Sequence, residues 1–295
     1  MTFSIVIIPD TQLLSRSHPD KFSGMTQWIA EQQEAFDIRM VLHLGDVVHN
    51  GAADEAQFQR AQAALDTIDN AGIPMLIVPG NHDYDNMLSN DRSLAMFNRY
   101  FGLQRYADKS WYGGAFEPGH AENMYALLDV QGYKLLFLAL EFGPRDEALA
   151  WADDVLSRHA DYEAIVVTHC YMFMDGTRNK PGDAHNPTIY PACANDNDGE
   201  SVWHKCLKKH ANVIAVYSGH QIPRHTSVRL DQGEHGNPVF QSFQNWQGAP
   251  SGGEGRIRVV HFDAEAGRMN HRVYNPHQGC YETLDGYEVA CDWKQ

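Results

Sequence analysis

The stretch Pro74-Met75-Leu76-Ile77-Val78-Pro79-Gly80-Asn81-His82-Asp83 sets a short apolar run directly against a turn that carries three polar side chains in succession. An apolar run of this length, closed by Pro and Gly, reads as a strand buried on both faces, as in a parallel sheet. Polar groups at the end of such a strand are withdrawn from water and need partners. Two upstream stretches repeat the pattern: residues 3–8 run into Pro9-Asp10-Thr11-Gln12, and residues 40–44 run into Gly45-Asp46. Between them, residues 21–36 place Phe22, Met25, Trp28, Ile29 and Phe36 at helical spacing. Residues 54–70 put Phe58, Ala61, Leu65 and Ile68 on one stripe, with Gly72 just past the end. The alternation of strand and helix predicts parallel βαβ units and an α/β fold.

Downstream, apolar runs at 124–129, 133–140, 164–168 and 213–218 add strands, and 147–158 and 200–210 read as helices before the last two. The tail offers strands at 226–230, 239–244, 257–262 and 270–274. Residues 172–198, rich in Asn, Asp, Pro and Gly, read as a long loop, a length that tends to carry function. No low-complexity tract or Ser/Gly linker divides the 295 residues, so one domain over 1–295 is expected.

Asp10, Asp46, Asn81, His169 and His220 each fall within a few residues of the carboxyl end of one of these runs. Ligands bind along that edge in open α/β sheets, so these distant side chains are expected to converge. Each has a plainer reading alone: Asp10-Thr11-Gln12 and Gly45-Asp46 as turns, His169 or His220 as a hydrogen-bonded core histidine. Together, two carboxylates, an amide and two imidazoles form the donor mixture of a divalent metal site, with Zn, Fe or Mn suited to the imidazoles.

The formal net charge of −15 opposes a long nucleic-acid polymer, whose binding leans on Lys and Arg. Cys170, Cys193, Cys206, Cys280 and Cys291 are scattered, odd in number and without a C-x-x-C pair, which argues against a disulfide framework and a thiolate zinc site. The amino terminus lacks a basic leader, and its apolar run is too short for a secretory core or a span, so a cytoplasmic protein free of membrane is expected.

On these motifs the sequence resembles the calcineurin-like metallophosphoesterases, whose usual pattern is D-x-H, G-D-x-x, G-N-H-[DE], H and G-H-x-H. Ile8-Pro9-Asp10-Thr11-Gln12, Asn245-Trp246-Gln247, Gly252-Gly253-Glu254-Gly255 and Tyr274-Asn275-Pro276 are similar to a bacterial branch with Gln in the first motif. The resemblance implies a four-layer α-β-β-α sandwich with mixed sheets. It also implies two divalent metal ions (Mn, Fe or Zn) and hydrolysis of a phosphomonoester or phosphodiester by a hydroxide held between them. By position, Asp46 bridges both metals, Asp10 and Gln12 face the first, and Asn81, His169 and His220 complete the second. His82 then donates a proton or stabilises charge, and Asp83 orients its imidazole. His49 and Asn50 are left to the start of the following helix or to support behind the ligands.

Two departures bear on the first metal. Gln12 stands where the family has His, and Ile222 stands where the last motif has its final His. The first site is therefore expected to be the weaker, with water, a backbone oxygen, or a loop residue such as His225 or His185 as substitutes. A small phosphorylated substrate is the expected partner. Arg178, Lys180, His185 and Tyr190 are available for phosphate or base contacts, and Trp111, Tyr112, Trp246 and Tyr274 for stacking, against a plainer reading as loop and core residues. The rival readings are a Ser/Thr protein phosphatase and a degenerate metal-binding protein.

Overall fold

The structure, a computed structural model, describes residues 1–294. Strands β1 (Thr2–Ile8), β2 (Ile38–His43) and β3 (Met75–Ile77) run parallel, with helices α1 (Gln12–Ser17), α2 (Pro19–Glu31), α3 (Gln33–Phe36) and α4 (Glu55–Asn70) between them. The expected 21–36 helix is two pieces. The chain breaks at Gln32, and the second piece ends at Asp37, whose left-handed backbone (φ +49) turns it into β2. Helix α5 (Ala95–Phe101) follows; its seven residues carry too few turns to show a periodic signal.

A second sheet contains β4 (Tyr112–Ala115), β5 (Met124–Val130), β6 (Tyr133–Leu140), β7 (Glu163–Thr168), β8 (Val213–Ser218), β9 (Thr226–Gln232) and β10 (Pro238–Gln244). Helices α6 (Asp146–Arg158) and α7 (Gly199–Lys205) lead into β7 and towards β8. The tail divides between the sheets. β9 and β10 stay in the second, whose order is β4-β5-β6-β7-β8-β10-β9. β11 (Ile257–Asp263) pairs antiparallel with β1, and β12 (Arg268–Asn275) carries β13 (Cys280–Glu282) and β14 (Glu288–Asp292) on its far edge. The first sheet thus reads β13-β12-β11-β1-β2-β3.

Side-chain alternation sorts the core into layers. Phe3, Ile5 and Ile7 of β1 pack between the sheets with Leu42, Val167 and Tyr217. Val6 and Ile8 face the other way, onto Phe22 and Met25 of α2 and Leu65 of α4. Leu136, Val166 and Val216 face Val155 and Leu156 of α6 and Val202 of α7. This is the four-layer α-β-β-α sandwich. It brings the carboxyl ends of β1, β2, β3, β7, β8 and β10 to one rim. Among the described residues no helix is long and apolar enough to cross a membrane.

Phe58 of α4 is fully buried and stacks on Tyr100 at 5.4 Å. Phe58→Ala should cost about 3–5 kcal/mol of stability in urea unfolding, the cost of a core aromatic truncated to a cavity. A loss below about 1 kcal/mol would contradict this packing.

Candidate metal centre

Asp46 sits at the middle of the rim, just past β2. Its backbone is left-handed (φ +50), as is that of Gly45 before it (φ +92), an uncommon conformation for a residue with a side chain. Asp46 Oδ1 accepts the His82 backbone N–H at 2.9 Å and lies 3.2 Å from His169 Nε2. The Gly80 backbone passes so close that a Cβ there would stand 2.2 Å from Asp46 Oδ1, which explains the glycine of the Gly-Asn-His turn. The same holds across the rim, where a Cβ on Gly219 would stand 2.1 Å from Asp10 Oδ1. Asp10 accepts the His220 backbone N–H at 3.1 and 3.2 Å and an amide hydrogen of Asn245 at 2.9 Å.

Backbone carbonyls fix both histidine tautomers. His169 Nδ1–H donates to the Leu44 carbonyl at 2.7 Å, and His220 Nε2–H donates to the His185 carbonyl at 2.7 Å. The remaining nitrogens, His169 Nε2 and His220 Nδ1, face each other only 3.1 Å apart and are the atoms left to meet a cation or a proton. With Asp46 Oδ1 beside them, three electron-rich atoms converge within 4.8 Å. Such a cluster requires positive charge among its members.

The electrostatics express that requirement. Burial alone would raise the Asp46 carboxyl, yet the imidazoles of His169 and His82 hold it well below the usual range. Burial would lower His169, but the Asp46 and Asp10 carboxylates lift it above an ordinary histidine. His220, buried and beside His169, is pushed down to about 3 and stays a neutral donor. Burial pushes the Asp10 carboxyl up, opposed mainly by His169.

These residues fit a divalent cation. Asn81 adds a further donor: its Oδ1 is buried without a hydrogen-bond partner, an arrangement that costs energy unless something electropositive meets it. Asn81, His169, His220 and Asp46 supply neutral nitrogen, amide oxygen and carboxylate, the set that suits Zn, Fe or Mn. On the other side stand Asp10, Asp46 and Gln12. The Gln12 amide is already engaged, since its Oε1 lies 3.1 Å from His49 Nδ1 and its Nε2 donates to the Gln247 side chain. Neither residue considered as a substitute ligand shows that use. His185 turns its carbonyl to His220, and His225 Nδ1 lies 3.1 Å from the Asn245 carbonyl.

His82 is half-buried and stacks on His49 at 4.8 Å. The expectation that Asp83 orients the His82 ring is corrected here. His82 Nδ1 lies 2.8 Å from the His49 carbonyl, leaving Nε2 free. Asp83 is fully buried and accepts three backbone N–H groups instead, from Val47 at 3.1 Å, Val48 at 2.9 Å and Gly80 at 2.8 Å. It ties the turn after β2 to the turn after β3, and so holds Asp46 and Asn81 in register.

The long loop is anchored over the rim, with Arg92 bridging Asp196 at 2.5 Å and Glu141 at 3.1 Å. Arg178 is not available to a substrate, because it is buried in ion pairs with Glu200 and Asp231 beneath Trp203. Trp246 is a core residue bonded to Tyr287, and Tyr274 is partly buried and stacked on Trp28. Trp111 and Tyr112 pack on Tyr106. Sequence reasoning assigned no role to Asn245 or Gln247, yet one bonds Asp10 and the other Gln12. It also passed over His43, held neutral by burial between Thr11 Oγ1 at 2.9 Å and the Gly45 N–H at 3.1 Å. A histidine inside an otherwise apolar strand is the signal that marked it.

Residues 3–224 match the calcineurin-like phosphoesterase family. The chain is 31% identical over 307 residues to the uncharacterized protein YvnB of Bacillus subtilis (strain 168), covering 99% of this chain but 22% of that protein. It therefore spans about a fifth of that relative's length. Among solved structures, a dimetal phosphatase from Danio rerio superposes with TM-score 0.60 at 13% identity, covering 99% of each chain. GAP50, the anchor in the inner membrane complex of Plasmodium, superposes with TM-score 0.54 at 10% identity, covering 100% of this chain and 90% of that one. At these identities the two structures speak for the fold alone. Its motifs, its match over most of its length and its four-layer architecture agree: the chain belongs to the calcineurin-like phosphoesterase family.

Proposed function

We propose that this chain hydrolyses phosphate esters at a pair of divalent cations that share Asp46. The observation that carries the reading is the meeting of two imidazole nitrogens with the Asp46 carboxylate, beside a buried amide oxygen without a partner. Asn81, His169 and His220 would hold one cation, and Asp10 and Gln12 the other. When bound, such cations act as Lewis acids on a phosphoryl oxygen and bring the pKa of water towards neutrality. His82 presents Nε2 outward while the His49 carbonyl holds Nδ1–H, so a protonated ring can deliver its proton to the leaving alkoxide.

A cleft of about 490 Å³ opens beside His82, lined by His49, Asn50, Tyr84, Met87 and Leu88 among others, with no Lys or Arg in its walls. That lining suits an uncharged leaving group better than an anionic one. A second reading, metal binding without turnover, draws on the engaged Gln12 amide, which leaves the first cation with few free donors.

In the metal-replete protein, chelation should remove p-nitrophenyl phosphate or bis-ester hydrolysis, and Mn²⁺ or Fe/Zn should restore it. Metal that raises thermal stability without turnover on any ester would favour the second reading. Asp46→Asn should abolish turnover with the fold intact by circular dichroism; undiminished activity would remove Asp46 from its bridging role. His82→Ala should lower kcat by roughly 10²–10⁴-fold at unchanged metal content by plasma mass spectrometry, and parallel loss of metal would make it a ligand. Gly80→Ala, which drives a methyl group into the Asp46 carboxylate, should weaken metal binding at least about tenfold in a chelator titration. Unaltered binding would mean the turn has room to spare.

A further inference from the structure

At the opposite end of the second sheet from the phosphoesterase rim, three side chains of different chemistry meet: Asp153 of α6, Cys206 just after α7, and His210 one turn further on. Their donor atoms lie within 4.8 Å of one another. From the geometry we infer a second, structural cation site, of the zinc type, formed by Cys206, His210 and Asp153.

The donor set is sulfur, nitrogen and oxygen, a mixture that borderline-soft Zn²⁺ takes in preference to Mg²⁺ or Ca²⁺. Tetrahedral zinc spaces its ligand atoms roughly 3.3–3.6 Å apart, given Zn–N near 2.0 Å and Zn–S near 2.3 Å. His210 Nε2 stands 2.9 Å from Asp153 Oδ1, so small side-chain adjustments reach that spacing. Cys206 and His210 are four residues apart on one continuous turn, in a C-x-x-x-H arrangement. The backbone there is held fast. Cys206 N–H donates to Val202, Val213 N–H donates to His210, and Asn237 bonds the His210 carbonyl at 3.2 Å.

The Cys206 thiol is wholly buried among Leu207, Val202 and Leu156. A nucleophilic role for a Cys-His-Asp trio fails on that ground, because the sulfur has no exposure to a substrate. A cation is what would make the thiolate favourable. The half-exposed Asp153 side leaves an open face, where solvent supplies the fourth ligand. The scattered cysteines without a C-x-x-C pair argue against a thiolate zinc site in the sequence, whereas the fold brings one thiolate to a histidine and a carboxylate. The cation would clamp α6 to the end of α7, a strand's length (on the order of 20 Å) from the catalytic rim.

Cobalt(II) replaces zinc and reports thiolate ligation by a charge-transfer absorption in the near ultraviolet. Titration of Co²⁺ into the metal-stripped 295-residue chain should produce that band, with an amplitude at saturation of one thiolate-bound cobalt per chain. Cys206→Ser should abolish the band, and Cys170→Ala, beside His169 at the other rim, should retain it. The phosphoesterase centre supplies no thiolate in this account, so its occupancy contributes nothing to the band. No band in the unsubstituted chain, or a band surviving Cys206→Ser, overturns the site. Should Cys206→Ser fail to fold, Asp153→Ala serves instead. It should weaken the band-forming Co²⁺ affinity at least about tenfold with an unchanged circular dichroism spectrum, and unchanged affinity overturns the proposal.

Discussion

The rim depends on a positive charge being demanded at one point. Asp46 Oδ1, His169 Nε2 and His220 Nδ1 are brought together by three separate strand ends, and both imidazoles are locked by carbonyls so that their remaining nitrogens face inward. Three electron-rich atoms so close repel one another unless a cation or proton lies among them. The surrounding structure resists their separation. Gly45, Gly80 and Gly219 leave no space for a side chain, and Asp46 and His220 are both held at positive φ. Backbone strain of that kind, of order 1–3 kcal/mol per residue, persists only where neighbouring contacts over-determine it.

Asp83 provides much of that over-determination. By accepting three backbone N–H groups from two turns, it fixes the positions of Asp46 and Asn81 relative to each other. Asn245 and Gln247 do the same for the other half of the rim, reaching Asp10 and Gln12 respectively. Trp246 between them is buried with its indole N–H on Tyr287 at 2.7 Å, so the two polar side chains flank an anchored residue. Gln12 passes the linkage on to His49, whose carbonyl in turn holds His82. The tail of the chain thereby reaches His82.

Much of this was legible in the sequence. The strands ending at Ile8, His43, Ile77, Thr168 and Ser218 announce themselves as apolar runs stopped by polar turns, and the residues that follow them do converge. The long helix α4 carried a clear stripe, while α5, β4, β13 and β14 were too short for any periodic signal. Contacts made across the sandwich were beyond reach. Nothing local in Asp83 says that it bonds Val47 and Val48 rather than the adjacent His82. Nor does the Cys206–His210 pair announce Asp153 as a neighbour, because α6 approaches only through the fold. Arg178 reads as a loop cation until its burial against Glu200 and Asp231 is seen.

Diffraction at the metal absorption edge, from crystals grown with Mn²⁺ or Zn²⁺, tests the central claim most directly. The account predicts an anomalous peak bounded by Asp46, Asn81, His169 and His220, with a second, weaker peak on the Asp10 side of the same carboxylate. A map without a peak in reach of Asp46, from crystals soaked to saturation, would contradict it.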